Sequence, residues 1–270
     1  MSDNKVLISR AWGIGDVCMS VPFVGHLINK GYDVTYETYS YDSLLKYFFP
    51  TINTINTSVY PDRDFRRHVD GYDYFVNLNR WTEDIDELAY IKYNDEIGKN
   101  LNAQFNYAIA FHTINNLPVP DDLSSGSYIF KEKVPTDDVL FFSKSSSPTR
   151  TLQENVVEFV KSRIPNVIVD PKYNNLAMLA EKINNAKLVI ATDTGPLHIA
   201  ECMSTKHIGL YTAMGIKTRT KYYKHGIYLQ STSECSPCNY HGRSCKNSEK
   251  FVCTKTFDFE KLNNLIKMHL

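Results

Sequence analysis

No apolar run in this chain reaches the ~18 residues a membrane-spanning helix needs, so none of its hydrophobic segments reads as a span. The N-terminus lacks a basic stretch followed by an apolar core and a small-residue cleavage site. With no export signal to read, the cytoplasm is the expected compartment. Net charge is missing as well, because 30 Lys and Arg balance 30 Asp and Glu. No global field therefore draws the chain to nucleic acid or to an anionic membrane, although a local basic groove is compatible with a balanced total. Repeats and low-complexity tracts are absent, and so is the full G-x-G-x-x-G dinucleotide fingerprint. What is left is a globular chain of ordinary make-up, with 43% hydrophobic and 22% charged residues. Its 270 residues suffice for one large or two modest domains.

Residues 188–209 (LVIATDTGPLHIAECMSTKHIG) organise the rest. Leu188, Val189, Ile190 and Ala191 form a short β-branched apolar run, which reads as a buried parallel strand. The chain turns at Asp193-Thr194-Gly195-Pro196 and continues through Leu197, Ile199, Ala200 and Cys202 at helical spacing. Pro suits the first helical turn, and Thr or Asp suits the cap before it. A strand, a tight turn and a helix N-terminus with unspent N–H groups attract anions, phosphates above all.

A second turn of this kind lies near the N-terminus. Residues 5–10 read as a strand, Gly13, Gly15 and Asp16 as a glycine-bearing turn, and Val17 to Gly31 as a helix. A strand follows at 33–39, which completes a βαβ unit. Asp16 has two readings here: a helix cap, worth roughly 0.5–2 kcal/mol, or a carboxylate at the mouth of the sheet that takes a proton from a hydroxyl.

Further patterns follow. A helix is expected at 43–49 and strands at 52–59 and 72–78. Charged and aromatic helical spacing runs through 84–97 and 101–116. An inter-domain link falls near Pro135, which gives domains 1–135 and 136–270. The second half restarts with a strand at 139–142 and a hydroxyl-rich loop at 143–150 that holds Ser143, Lys144, Ser145 and Arg150. That loop reads either as a phosphate cradle or as plain flexible surface. A helix at 153–163, a strand at 166–169, a helix at 176–186, a strand at 206–211 and a final helix at 257–268 complete the pattern. Lys217, Arg219, Lys221 and Lys224 alternate with Tyr222 and Tyr223 as a solvated face or an anion contact. Alternating strands and helices through both halves imply two doubly wound α/β domains.

Six cysteines are present. Cys18 and Cys202 sit in apolar helical patterns, where a thiol packs as a small hydrophobe. Cys235, Cys238, Cys245 and Cys253 crowd one segment, and four soft ligands suit tetrahedral zinc or iron. His241 offers a substitute ligand, and disulfides are the alternative for an exported chain. A closed four-sulfur site has no open position, so a metal there would serve folding.

With both turns in view, the chain resembles glycosyltransferase family 9, the ADP-heptose:lipopolysaccharide heptosyltransferase group and its autotransporter heptosyltransferase relatives. The resemblance rests on residues 5–22 (KVLISRAWGIGDVCMSVP), with their opening strand, G-D and later Pro. It rests also on Asp193-Thr194-Gly195-Pro196-Leu197-His198-Ile199-Ala200, close to the family's D-[ST]-G-x-x-H-x-A, and on Cys235-Ser236-Pro237-Cys238. It implies a GT-B fold of two Rossmann-like doubly wound domains facing a cleft, and inverting transfer from a nucleotide-diphosphate sugar without a catalytic metal. Carried over by position, Asp16 matches the family's general base, beside Gly15. Asp193, Thr194, Gly195 and His198 match nucleotide-sugar contacts, and Ser143, Lys144, Ser145 and Arg150 fall in its phosphate-contact loop. The expected acceptor is a glycan or protein hydroxyl. A hydroxylated DNA base is the alternative, met by residues 217–224 and by Arg63, Arg66 and Arg67. A non-catalytic nucleotide-binding module stapled by a metal is the rival class. Two departures stand out: the N-terminal half is thin for the family, and Leu152 stands where an aromatic usually follows the cation.

Overall fold

The structure is a computed structural model that describes residues 4–10, 13–57, 70–78, 122–220, 222–238, 245 and 247–270. The patterns read at 84–97 and 101–116, and Arg63, Arg66, Arg67 and His241, lie outside the described residues. The chain divides into two compact units, Met1–Phe130 with Asn175–Ala177, and Lys131–Asn174 with Met178–Leu270.

In the first unit β1 (Lys5–Ser9) pairs in parallel with β2 (Asp33–Thr38) and β4 (Tyr74–Asn77), and β2 pairs with β3 (Asn53–Asn56), giving the order β3-β2-β1-β4. β1 is buried from Val6 onwards, as a central strand covered on both faces should be. Helix α1 (Ile14–Asn29) crosses from β1 to β2 and is buried over most of its length, so its sequence is apolar nearly all round. Gly25 is required on it, because a Cβ there would stand 2.6 Å from the side chain of Tyr128. Ser125–Ser127 form a 3-10 turn, and Ser125 donates to the Cys18 carbonyl at 3.0 Å. A short helix α2 (Asp42–Phe48) precedes β3.

The second unit holds β5 (Val139–Phe142), α3 (Glu154–Arg163), β6 (Ile168–Val169), α4 (Leu176–Asn185) from Met178 onwards, β7 (Leu188–Thr192), α5 (Gly195–Cys202), β8 (His207–Tyr211), α6 (Ile216–Thr220), β9 (Gly226–Gln230) and α7 (Phe259–His269). Its sheet is parallel throughout, in the order β6-β5-β7-β8-β9. Val156 and Val160 of α3 and Leu262, Leu265 and Ile266 of α7 pack beneath Val139, Phe141, Leu188, Ile190, Ile208 and Leu210. Each fully buried aliphatic contributes about 1.5–3 kcal/mol before conformational entropy is charged against it. Leu152, the residue in place of an aromatic, joins this core at 5% exposure.

Each sheet has one point where the chain reverses its direction of winding. It lies beside β1 in the first unit and between β5 and β7 in the second. In open α/β sheets the ligand crevice forms at the carboxyl ends of strands flanking such a point. The 13–16 turn follows β1, while the 143–150 loop and the 193–195 turn follow β5 and β7. Topology thus singles out the turns that carry the polar motifs.

Candidate functional site

Thr192 ends β7, and the chain reaches α5 through Asp193 and Thr194. Thr194 occupies the cap position in extended conformation, but its side chain makes no cap bond to the helix. Pro196, with no N–H of its own, sits in the first turn as expected. Of the N–H groups that open α5, that of Leu197 donates to the Thr194 carbonyl at 3.0 Å and Pro196 has none, which leaves the N–H of half-buried Gly195 at the mouth of the turn.

Asp193 is 1% exposed, so a carboxylate has been taken out of water at the end of a strand. Such a group needs partners, and two guanidinium groups and an imidazole supply them. Arg150 Nη1 lies 3.6 Å from Oδ2, Arg219 Nε 4.0 Å from Oδ2, and His198 Nε2 3.4 Å from Oδ1. Burial pushes the Asp193 carboxyl up, but the His198 bond and the charges of Arg219 and Arg150 outweigh it and hold its pKa at about 2. Asp193 is therefore an acceptor that braces three groups. Arg150 Nη1 also donates to the Asp193 carbonyl at 2.8 Å.

The 143–150 loop is tied at both ends. Ser143 donates its N–H and its hydroxyl to Asp170 at 2.9 and 2.8 Å, so its side chain is committed within the protein. Lys144 keeps its ammonium 78% exposed, 4.0 Å from Asp170. Ser145 Oγ accepts from the Ser147 N–H at 3.2 Å. Thr192 donates to the Arg150 carbonyl and Thr212 to the Thr149 carbonyl, at 2.7 and 2.6 Å. These bonds stitch the loop to the carboxyl ends of β7 and β8. It is a braced cradle whose Arg150 guanidinium stands beside the α5 N-terminus.

Residues 216–224 were read as a solvated face or an anion contact, and the structure divides them. Lys217 is exposed, whereas the Arg219 side chain is only 10% exposed and faces Asp193. Tyr223 hydrogen-bonds His198 Nδ1 through its hydroxyl and packs edge-on to the ring, with centroids 5.8 Å apart. Both His198 nitrogens are thereby engaged, and its residue is 4% exposed. Sequence reasoning named Arg219 and Tyr223 only as part of a stretch open to solvent or to an anion, because their partners lie far away in the chain.

In the first unit the turn after β1 is built differently. Gly13 takes φ +81°, a left-handed conformation that favours glycine. A Cβ there would stand 2.5 Å from Asp16 Oδ2, so glycine also makes room for this carboxylate. Gly15 and Asp16 fall in the first turn of α1, and no side chain caps that helix. Of the two readings of Asp16, the cap is thus set aside. Its side chain, 16% exposed, instead pairs with Arg10, which also donates to the Leu78 carbonyl at 2.6 Å.

The cysteine segment packs against the loop after β8. Gln230 at the end of β9 donates to the carbonyls of Tyr211, Thr212 and Met214, and Ser236 donates to Thr212. Cys253 is buried, and its thiol is pushed up to about 11 by burial and by the nearby Cys235, Cys238 and Cys245 sulfurs. Cys245 is pulled down, chiefly by a backbone bond from Phe251. The four sulfurs thus share one neighbourhood, although among the described residues no three His, Cys, Asp or Glu side chains stand arranged to hold a metal ion. Among the same residues no helix is long and apolar enough to cross a membrane.

The fold matches solved structures of one kind. Escherichia coli heptosyltransferase WaaC, with ADP-2-deoxy-2-fluoro heptose, is 13% identical at TM-score 0.66, covering 98% of this chain and 100% of its own. E. coli ADP-heptose LPS heptosyltransferase II is 12% identical at TM-score 0.59, with 98% of each chain covered. The iron-containing dodecameric heptosyltransferase TibC of enterotoxigenic E. coli, with ADP-D-β-D-heptose, is 11% identical at TM-score 0.60, over 99% of this chain and 77% of its own. No curated protein sequence matches the chain. The architecture is accordingly GT-B, the two-domain α/β fold of a large class of glycosyltransferases. Residues 137–249 match the family model "Glycosyltransferase family 9 (heptosyltransferase)", so this part of the chain is similar to a family 9 domain.

Proposed function

We propose that the protein is an inverting transferase that moves a sugar of the heptose type from a nucleotide-diphosphate donor to an acceptor hydroxyl. The observation that carries this reading is the β7–α5 turn. There a buried carboxylate braces Arg150 beside the N–H of Gly195 at the start of α5, within the residues that match the family model. The donor's diphosphate would lie on Thr194, Gly195 and Arg150, with Lys144 and Ser145 on the loop next to it. Those donors stabilise the negative charge that develops as the anomeric C–O bond breaks. Asp193 and Ser143 support the site from within, since both are committed to protein partners.

Asp16 is assigned the base. It takes the acceptor's proton as that oxygen bonds to the anomeric carbon, the nucleoside diphosphate departs with the electron pair, and configuration inverts. The glycan or protein acceptor is preferred to DNA, because the inward turn of Arg219 and Tyr223 withdraws two residues from the segment a nucleic acid would meet. The cytoplasm, where nucleotide sugars are available, is the compartment this chemistry requires.

The four thiols fit a soft divalent ion in donor chemistry, and a cation among them would relieve the crowding that pushes Cys253 up. We assign Cys235, Cys238, Cys245 and Cys253 to zinc or iron with a folding role, in keeping with the iron-containing TibC. Protein purified without chelator and found metal-free by elemental analysis would refute that assignment. For the transferase reading, the protein is incubated with ADP-, GDP-, UDP- and CDP-sugars, including ADP-heptose. Release of nucleoside diphosphate from one of them supports it, and inertness towards the whole panel, donor hydrolysis included, counts against it.

A further inference from the structure

One pair of contacts at the β7–α5 turn goes beyond holding an anion, and its use rests on the anion-site reading above. His198 has a partner on each ring nitrogen, Asp193 at Nε2 and the Tyr223 hydroxyl at Nδ1. Nε2 lies 3.4 Å from a carboxylate, whose negative charge favours a proton on that nitrogen. The state of Nδ1 then decides where the tyrosine proton points. With a neutral ring Nδ1 accepts, and the Tyr223 hydroxyl proton is directed inward. With a charged ring Nδ1–H donates to the tyrosine oxygen, and that proton is released to point elsewhere. The ring itself is 4% exposed, whereas Tyr223 is half-buried and reaches further out.

We propose that His198 addresses the donor diphosphate through Tyr223, and that phosphate binding is coupled to uptake of about one proton shared along Asp193, His198 and Tyr223. In this step a solvent proton adds to Nδ1, the hydroxyl rotates outward, and no covalent bond other than N–H forms. Around His198 stand Asp193 from the turn, Tyr223 from beyond α6, and Arg219 and Arg150 against Asp193. Tyr211 of β8 lies next to the same carboxylate, and His207 of β8 interacts with His198 electrostatically. His207 is held neutral at neutral pH, since burial lowers it to about 4. His198, with Asp193 at one ring nitrogen and the Tyr223 hydroxyl at the other, is then the histidine of this group placed to pass a proton to the tyrosine.

The test uses inorganic pyrophosphate as the probe. Wild type and Tyr223→Phe are titrated calorimetrically near neutral pH in buffers of different ionisation enthalpy. Pyrophosphate's own protonation is common to both, so the difference in proton uptake belongs to the protein. The expected result is greater uptake by wild type and roughly 10-fold weaker binding by the variant, as for loss of a hydrogen bond to a charged group. Equal uptake overturns the proposal. Nitrogen-15 spectra of the wild-type ring give a reading that needs no variant: Nε2–H alone without pyrophosphate, both nitrogens protonated with it. A ring that stays neutral when pyrophosphate is bound overturns the coupling and leaves the anion site standing. Failure of wild type to bind pyrophosphate removes the anion-site reading, and the coupling with it.

Discussion

The chain uses the same local device twice, a parallel strand that turns through an aspartate into a helix, and the two copies do opposite things with the carboxylate. After β7, Asp193 is 1% exposed and faces Arg150, Arg219 and His198. After β1, Asp16 keeps 16% of its side chain exposed and faces one guanidinium, that of Arg10. A carboxylate enclosed by two guanidinium groups and an imidazole is committed to organising its neighbours. Among the described residues Asp16 has one such cation, and the glycine at 13 keeps a Cβ from standing 2.5 Å from its Oδ2. Position in the fold does not decide the role of such an aspartate; the number of partners and the space around it do.

The largest effect that sharpens this contrast is expected at Asp16. Asp16→Asn retains an oxygen for Arg10 but cannot accept a proton. Transfer should fall by roughly 10²–10⁴-fold, the usual contribution of a positioned general base, while donor affinity and melting temperature change little. Steady-state kinetics beside donor binding read the split. Transfer at the wild-type rate would remove Asp16 from the chemistry.

Asp193→Asn should do the reverse. It leaves Arg150 and Arg219 without their shared carboxylate, and breaking a buried ion pair from one side costs roughly 3–5 kcal/mol. Urea unfolding should show that loss, and pyrophosphate affinity should drop with it, because the braced guanidinium is released. A stable variant with weakened transfer alone would mean that Asp193 touches substrate and the contrast is false.

The same carboxylate gives a pH signature. Its folded pKa of about 2 lies below the ordinary 3.8, so it stabilises the protein fully above the ordinary value. That stability is lost as pH falls from the ordinary carboxylate range through about 2, and amounts to about 2 kcal/mol. The difference in unfolding free energy between wild type and Asp193→Asn should therefore shrink across that window, and an unchanged gap would contradict the brace.

Much of this was legible beforehand, for reasons that also explain the remainder. The apolar β-branched runs at β1, β5, β7 and β8 announced buried parallel strands, and Gly13, Asp16 and the 193–198 motif sat where those strands end. β9 was missed because its GIYLQ sequence lies at the sheet edge, pairs only with β8 and is mostly half-buried, so neither an apolar run nor alternation marks it. Arg219 and Tyr223 lay inside a stretch of cations and tyrosines that composition alone assigns to solvent. Their inward turn depends on Asp193 and on His198, the latter 25 residues from Tyr223, and no local spacing encodes such a contact. Asp16 was undecided between cap and base because both readings need the same residue at the same place. The absence of a side-chain cap on α1 removes the cap reading, and the base is the role we propose.

A third aspartate completes the comparison and carries the smallest expected effect. Asp258 precedes α7 and accepts from the Lys261 N–H at 2.9 Å, which is the capping role once open to Asp16. It has no cationic brace among its described contacts and lies at a surface helix whose Leu262, Leu265 and Ile266 join the core. Asp258→Ala should cost about 1 kcal/mol in urea unfolding, with donor affinity and turnover unchanged. The three substitutions then separate along two axes: Asp16 moves turnover, Asp193 moves stability and binding together, and Asp258 moves stability alone. A loss of transfer in Asp258→Ala beyond what its stability loss explains would show that α7 couples to the site, and that counting partners is too local a way to assign these carboxylates.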